Sequence, residues 1–504
     1  MNAAYLSLLV AVPLASAALL VAVRRPVLDR ALMIGVPALM TLAGILLLIE
    51  HQSTPVLAHN VGQFPGGVSI PLVSDTFSAL MITVTSLTTT VTMVFLTQTG
   101  EDRFRFLPPL ALMLAAGVNG ALLTGDLFNL FVFVEVMLLP SYALISITGT
   151  WRRLGIGRLF VVVNLLTSTI LLIGVGLVYA AAGTVNMAEL AGAASRDPRV
   201  GFAVAVVLLA LAIKAGVAPI HGWLPRTYPS TSAGVMALFS AVHTKVALYG
   251  IYRIYSTTYG GEAAWAPVLA FAVALTIIVG SYSTFGEHIM RRALSWQMVA
   301  GVGHILLGLA IFTQFSLAAG IFYMVHHIIT MAALLLTSGA IEQAYGSGRY
   351  ERLAGLARRD PWIAVIYAFA LLSLVGLPPS TGFFAKIGLL QAAAGAGGWE
   401  AWFYITVVCV AAVGTLFAMQ RLWSGVFWGP SMENYRPQDP NGGRGKRVPL
   451  PKDLKVRWNL AAPGAFLVGL QLTFFVFAGV LIPIAQRAAE NLTNLEPYVT
   501  AVLG

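Results

Sequence analysis

Apolar residues run along the chain in long blocks, each near the 20 residues that cross about 30 Å of hydrocarbon as a helix. Fourteen such runs lie at 4–23, 31–50, 72–97, 106–124, 127–149, 159–183, 201–227, 230–256, 265–285, 293–313, 316–340, 361–392, 402–427 and 462–486. They are continuous and rich in Ala, Leu and Val, without the alternation of membrane β-strands. The pattern predicts an all-α polytopic membrane protein with about 14 transmembrane helices. Run 7 reads KAGVAPIHGWLP (214–225) and is interrupted by Gly216, Pro219, Gly222 and Pro225. Run 12 reads VGLPPSTGFFAKIG (375–388) and is interrupted by Pro378, Pro379 and Gly382. Proline removes a helix hydrogen bond and clashes with the preceding turn, so helices 7 and 12 are expected to be broken. Irregular backbone at membrane depth survives only where protein or a water-filled cavity surrounds it.

Two breaks five runs apart predict two inverted five-helix repeats, runs 4–8 and runs 9–13. The chain then divides into an N-terminal three-helix segment (1–105), a first repeat (106–256), a second repeat (257–427), a basic loop (428–461) and a C-terminal helix and tail (462–504). Broken helices at matching positions of inverted repeats point to an ion pathway; ordinary proline kinks are the alternative.

Charge sharpens this picture. Hydrophobic residues make up 58% of the 504 and charged residues 10%, with a mean hydropathy of +0.83. That balance excludes a soluble globular protein, a disordered chain and a coiled coil. The net charge of +10 raises the question of nucleic acid until the basic residues are located. Of 30 Lys and Arg, 23 fall in one alternating set of loops, 4 (Arg196, Arg199, Arg253, Arg487) in the other and 3 inside runs. The asymmetry marks the first set as cytoplasmic and puts both termini outside, which requires an even number of crossings. The basic excess is thus a topology signal, not a nucleic-acid one. The first run has no basic residues before it, and Arg24 and Arg25 follow it, as in a retained helix rather than a cleaved signal. The single cysteine, Cys409, excludes an internal disulfide framework and is read as a small buried thiol.

Two loops are long. Residues 51–71 are polar and bear Gly and Pro. Residues 428–461 carry Arg436, Arg444, Lys446, Arg447, Lys452, Lys455 and Arg457 against Glu433, Asp439 and Asp453. That loop reads either as a docking surface for a partner or as a solvated loop resting on anionic lipid. Gly174 and Gly176 form only a fragment of a dinucleotide pattern, and no phosphate-binding loop is present.

Four ionisable side chains lie within runs: Glu135, Lys214, Lys245 and Lys386. Each costs at least about 3 kcal/mol on insertion scales. Structural ion pairing or snorkelling is the alternative to function, with snorkelling most plausible for Lys386, nearest a run end. If adjacent, Glu135 and Lys214 would form a pair in which moving one proton changes the proton affinity of the next group. Lys214, Lys245 and Lys386 then form a lateral proton relay bridged by water. One clear carboxylate is too few for a dehydrated Na⁺ path. Asp75, at the start of run 3, is read as structural. His326, His327, His304, His243 and His221 are further relay candidates, each with the alternative of a neutral histidine bonded between helices. His243 and Lys245, two residues apart, point to opposite faces. No metal site is expected, because neither carboxylate nor cysteine accompanies these histidines at ligand spacing.

The residues now resemble a known family. GDLFNLFVFVEVMLLPSYALI (125–145) is similar to the glutamate-bearing fifth helix of the antiporter-like subunits of respiratory complex I, membrane-bound hydrogenases and Mrp-type multisubunit cation/proton antiporters. KAGVAPIHGWLPRTYPSTSAGVMALFSAVHTKVALYGIYRIY (214–255) resembles the broken seventh helix and lysine-bearing eighth. LVGLPPSTGFFAKIGLL (374–390) resembles the broken twelfth. Within this group the length, the phrasing around Glu135 and a lysine at Lys386 resemble the D-type subunits of Mrp Na⁺/H⁺ antiporters most. The resemblance implies a pairing of Glu135 with Lys214, and a relay through Lys245 to Lys386. In one respect the chain departs from many relatives: where they carry a lysine four residues after the eleventh-helix histidine, here His327, this chain has Met331.

The resemblance implies a proton-conducting subunit of an antiporter that exchanges cytoplasmic Na⁺, or another monovalent cation, for external H⁺. Such a chain is a transporter subunit and not an enzyme, holds no cofactor, sits in the plasma membrane and works beside other antiporter subunits. Two other readings stay open: a proton-pumping subunit of a complex I-like NADH:quinone oxidoreductase or hydrogenase, and a scaffold subunit whose buried charges are structural.

Overall fold

The computed structural model describes residues 2–147, 151–430, 432–435 and 446–504. The chain begins with α1 (Leu8–Ala22) and α2 (Pro26–Glu50), then a hairpin of β1 (Val56–Asn60) and β2 (Pro71–Asp75). Next come α3 (Thr76–Thr99), α4 (Leu107–Leu123), α5 (Leu127–Ser146), α6 (Trp151–Ala182), the single turn α7 (Ala193–Arg196) and α8 (Pro198–Ala215). A short α9 (Trp223–Thr227) leads into α10 (Ala233–Tyr259), α11 (Ala266–Ser283), α12 (Met290–Ile311) and α13 (Gln314–Tyr345). The turn α14 (Leu356–Arg359) precedes α15 (Pro361–Val375), α16 (Thr381–Gly395) and α17 (Gly398–Val426). A two-residue ribbon, β3 (Asn434–Tyr435) with β4 (Val448–Pro449), is followed by α18 (Trp458–Val476), α19 (Ala478–Thr493) and α20 (Glu496–Leu503).

Twelve helices among the described residues are long and apolar enough to cross a membrane, and Leu107–Leu123 and Pro361–Val375 are shorter apolar helices. The protein is all-α and polytopic, as its apolar pattern predicts. Helix limits follow local chemistry. Asp75 caps α3 by accepting from the Ser78 N–H at 2.9 Å while Ser78 Oγ returns the bond, and Thr313 with Ser316 does the same for α13.

The bundle has a centre and a rim. The apolar stretches of α10 and α13 are wholly buried, whereas those of α1, α2, α6, α11, α17 and α18 are less than half buried and form the rim of the bundle. Small residues let the central helices approach closely. A methyl at Gly320 of α13 would strike the Tyr252 hydroxyl of α10, and Tyr252 itself donates to the Ile305 carbonyl of α12 at 2.5 Å. Central helices are therefore the ones on which a buried polar group finds partners.

Several expectations change. Residues 71–75 form strand β2, not the start of a helix, because the loop before them folds back as an antiparallel hairpin with Val56 opposite Asp75. Cys409 is exposed on the outward face of α17, not buried, since that helix belongs to the rim. Arg253 does not belong to an outer loop. It lies inside α10, 4% exposed, where Asp75 neutralises it at 2.5 Å. The C-terminal tail is helical: α19 packs on α13 and α3, and α20 lies against β1. The first helical turn, Ala3–Ser7, also rests on this hairpin, so both chain ends lie on one face of the bundle.

Arg436, Arg444 and the Pro/Gly-rich stretch of the basic loop (436–445) lie outside the described residues. The remainder is tied to the bundle. Arg359 donates to the carbonyls of Pro451, Lys452 and Leu454, and Asp360 accepts from the Tyr345 hydroxyl at 2.7 Å and the Val456 N–H at 2.9 Å.

Candidate functional site

The two breaks share one construction. α8 ends on Gly216 at φ +86°, and the N–H groups of Gly216 and Val217 both donate to the Ala212 carbonyl, at 3.1 and 3.0 Å. α15 ends on Gly376 at φ +88°, and Gly376 and Leu377 both donate to the Leu372 carbonyl at 2.9 Å. Only glycine enters this left-handed conformation without strain. Pro219 follows one break, Pro378 and Pro379 the other, and α-helix resumes only at Trp223 and at Thr381. Each break therefore leaves the carbonyl end of a half-helix, with its partial negative charge, inside the bundle.

A lysine meets each of those ends. Lys214, 2% exposed, sits in the last turn of α8 itself. Lys386, 7% exposed, reaches back from α16 and donates from Nζ to the Val375 carbonyl at 2.6 Å. Lys386 therefore does not snorkel to an interface, because the end of the preceding half-helix holds its ammonium inside.

Around Lys214 the partners come from α5, α6 and α10. Its Nζ donates to Asn164 Oδ1 at 3.4 Å, and Asn164 is held by the Phe160 carbonyl at 2.9 Å. Glu135 of α5 is within electrostatic reach of Lys214, but no direct ion pair joins them among the described residues, and Glu135 Oε1 has no protein hydrogen bond. The expected contact pair is thus a separated pair. The Lys214 charge also reaches His243 of α10, whose Nε2 lies 2.7 Å from Ser141 Oγ. Because Ser141 donates to the Met137 carbonyl at 2.7 Å, Nε2 is the donor to Ser141.

Lys245, fully buried in α10, donates to Thr244 Oγ1 at 3.1 Å. Its charge reaches His327 of α13, while His243 on the other face of the same helix turns toward Lys214. α10 thus joins two halves. His327 lies over Gly301 of α12, where a methyl would overlap the ring. His326 Nδ1 lies 3.0 Å from Thr381 Oγ1, in the first turn of α16, and 3.1 Å from Thr330 Oγ1. His304 stacks on Tyr323 with ring centres 5.1 Å apart and bonds the Ala300 carbonyl at 2.8 Å. The Lys386 charge reaches both His304 and His326.

Among the described residues, Nε2 of His304 and of His326 and both ring nitrogens of His327 are buried with no protein hydrogen bond of ordinary geometry, although the Gln297 carbonyl is within reach of His327. Buried polar atoms are almost always paired, so a cluster of unpaired ones marks places for ordered water. His221 stands apart, half-buried beside Trp296 at 5.6 Å between ring centres. Asn164, Ser141 and Thr381, whose side chains hold Lys214, His243 and His326, are site residues that the chain alone does not single out. Nothing distinguishes these residues from ordinary helix polar positions along the chain. The Asp75–Arg253 pair likewise emerges only in the fold, although Arg253 falls two turns after Lys245 on the same helix stripe.

Gly382 offers a local test. A methyl there would overlap the Ser373 carbonyl and sit 2.9 Å from His326 Cε1. Gly382→Ala should destabilise the second break by about 1–3 kcal/mol. The expected result is a lower melting temperature of the purified complex and slower transport.

Residues 124–414 match the family model described as NADH:quinone oxidoreductase/Mrp antiporter, transmembrane. The D-type subunit of a Na⁺/H⁺ antiporter from Alkalihalophilus pseudofirmus is 34% identical over 92% of each chain. A chain of the Mrp complex from Dietzia sp. superposes over 100% of this chain and 99% of its own, with 42% identity and a TM-score of 0.95. A chain of respiratory complex I from Thermus thermophilus superposes with a TM-score of 0.77 at 25% identity, covering 97% of this chain and 100% of its own.

Proposed function

Because this chain belongs to the NADH:quinone oxidoreductase/Mrp antiporter family and is a subunit of a multisubunit Na⁺/H⁺ antiporter, we propose that it carries the proton branch of the exchange. The path runs from Glu135 through Lys214 and His243 to Lys245, then through His327, His326 and His304 to Lys386. The observation that carries this reading is the pair of buried lysines at two alike helix ends, with the third lysine on the helix between them. Three buried ammonium groups are costly in a membrane and persist where they work.

Each group has a stated task. The carbonyl end of α8 and the Glu135 carboxylate favour a charged Lys214; a proton leaving Glu135 strengthens that preference and one arriving weakens it. Among the described residues no carboxylate pairs with Lys245, so its charge state follows the supply from either side. Water at the unpaired histidine nitrogens bridges the gaps that direct bonds do not close. Lys386, held by the Val375 carbonyl, is the last station before exit. The gap left by Met331 in α13 is spanned by His326 and His327. The matching breaks support two inverted repeats, spanning 106–256 and 257–427, as the architecture of the path.

The partners are the other subunits of the antiporter. Pro219, Ile220, Leu377, Pro378 and Pro379 are exposed at the bundle surface beside the breaks. Irregular backbone at membrane depth needs protein cover, and a neighbouring subunit supplies it. The complex belongs in the plasma membrane, with both ends of this chain outside.

Everted vesicles from cells lacking other antiporters test the reading. Glu135→Ala and Lys214→Ala should each assemble into the complex and lose most Na⁺-dependent proton movement. Normal assembly with full transport in both would overturn the relay and favour a scaffold.

A further inference from the structure

The proposed relay turns sideways at Lys245, yet further polar residues follow it along the same stripe of α10. Lys245, Tyr249 and Arg253 follow each other at four-residue intervals along α10, rising about 6 Å per step toward the face that holds the chain ends. The Tyr249 hydroxyl donates to the Leu122 carbonyl at 2.8 Å and accepts from Arg253 Nη2 at 3.4 Å. Arg253 Nη2 in turn donates to Asp75 Oδ2 at 2.5 Å. Tyr498 of α20 lies over the guanidinium at 5.4 Å and is within electrostatic reach of Asp126, which is 7% exposed at the start of α5.

Three polar atoms of this stretch of α10 are buried without a protein partner: Arg253 Nη1, Ser256 Oγ and Thr257 Oγ1. This column therefore has places for water at and beyond Arg253. A hydrated file of hydroxyls and carboxylates would let a proton pass directly from Lys245 to the surface. That short circuit would dissipate the gradient without moving Na⁺. One residue in the file forbids it. Paired with Asp75, the guanidinium adds no net charge, but it neither accepts a proton nor releases one, so hopping stops at it.

We infer that Arg253, held by Asp75 and the rings of Phe77, Tyr249 and Tyr498, is a proton-tight seal above Lys245 that forces protons sideways along the relay. The rings stand 5.8, 5.6 and 5.4 Å from the guanidinium carbon, so the charge is held in place on several sides. Arg253 is a positioning residue here: it touches no transported ion and sets the direction of transfer. The inference rests on the relay reading, since a seal matters only if Lys245 carries protons.

The test uses the intact complex in proteoliposomes with an imposed pH gradient. The double variant Asp75→Asn/Arg253→Gln removes both charges but keeps a hydrogen-bonded, polar column of similar size. Without Na⁺ it should dissipate the gradient several-fold faster than wild type, and Arg253→Lys should remain tight. A tight double variant that assembles and exchanges Na⁺ normally would overturn the seal. If the double variant fails to assemble, Asp75→Glu/Arg253→Lys, which keeps both charges, and Tyr498→Phe/Arg253→Gln, which keeps the aromatic cover, are compared: a leak in the second alone supports the seal, and its absence overturns it. Lys245→Met in the same preparation separates the two ideas. If Lys245→Met keeps full exchange, the relay fails; if it stops exchange while the double variant stays tight, only the seal fails.

Discussion

Lys245→Met is expected to leave an assembled complex whose Na⁺-dependent proton movement falls by roughly 100-fold or more, the range set by losing a proton-transfer group. Assembly should survive because Lys245 is not half of an ion pair. Among the described residues its side chain bonds only Thr244, at 3.1 Å, and it is surrounded by the buried centre of the bundle. Methionine has a similar length and flexibility, and it removes a desolvated charge without opening a large cavity. Lys245→Arg sharpens the result. Arginine keeps the positive charge but does not give up its proton, so a relay needs lysine and a mere counter-charge does not. Both variants are read by acridine-dye quenching in everted vesicles, beside a native gel for assembly. Transport above half the wild-type rate in Lys245→Met would remove this residue from the path.

The second large effect is on folding. Asp75→Ala should destabilise the protein by about 3–5 kcal/mol, because it leaves Arg253 buried and unpaired. The lost N-cap of α3 adds about 1 kcal/mol, since Asp75 Oδ1 accepts the Ser78 N–H at 2.9 Å. Domain stabilities of about 5–15 kcal/mol leave little after such a loss, so the expected result is little or no assembled complex at growth temperature. Asp75→Val/Arg253→Met removes both charges together and should restore much of the assembly, because a buried ion pair replaced by apolar groups is often neutral in stability. Size-exclusion profiles and thermal melts of the detergent-solubilised complex separate these outcomes. An Asp75→Ala protein as stable as wild type would show that water already reaches Arg253.

Much of the candidate site was legible along the chain because charge is so scarce in it. Glu135, Lys214, Lys245 and Lys386 stand out against long apolar runs, and the paired breaks at Pro219 and Pro378–Pro379 stand out by proline chemistry. Asn164 and Ser141 were not legible. An asparagine or serine on a helix is ordinary, and only the packing of α6 against α8 and of α5 against α10 gives them a lysine and a histidine to hold. Arg253 was misplaced because it lies near the end of an apolar run, where a basic residue usually marks a loop. Its partner Asp75 is 178 residues away in sequence.

The sequence alone determined the class of fold, the two interruptions and the four charged residues within the runs. It could do so because lipid demands long apolar helices and penalises each charge, and both demands act locally. The tertiary structure decided which charges meet. It held Lys386 on the end of α15, set His243 and Lys245 on opposite sides of one central helix, and joined Arg253 to Asp75. Those choices depend on how helices far apart in sequence pack, and the spacing of residues along one chain does not contain that information.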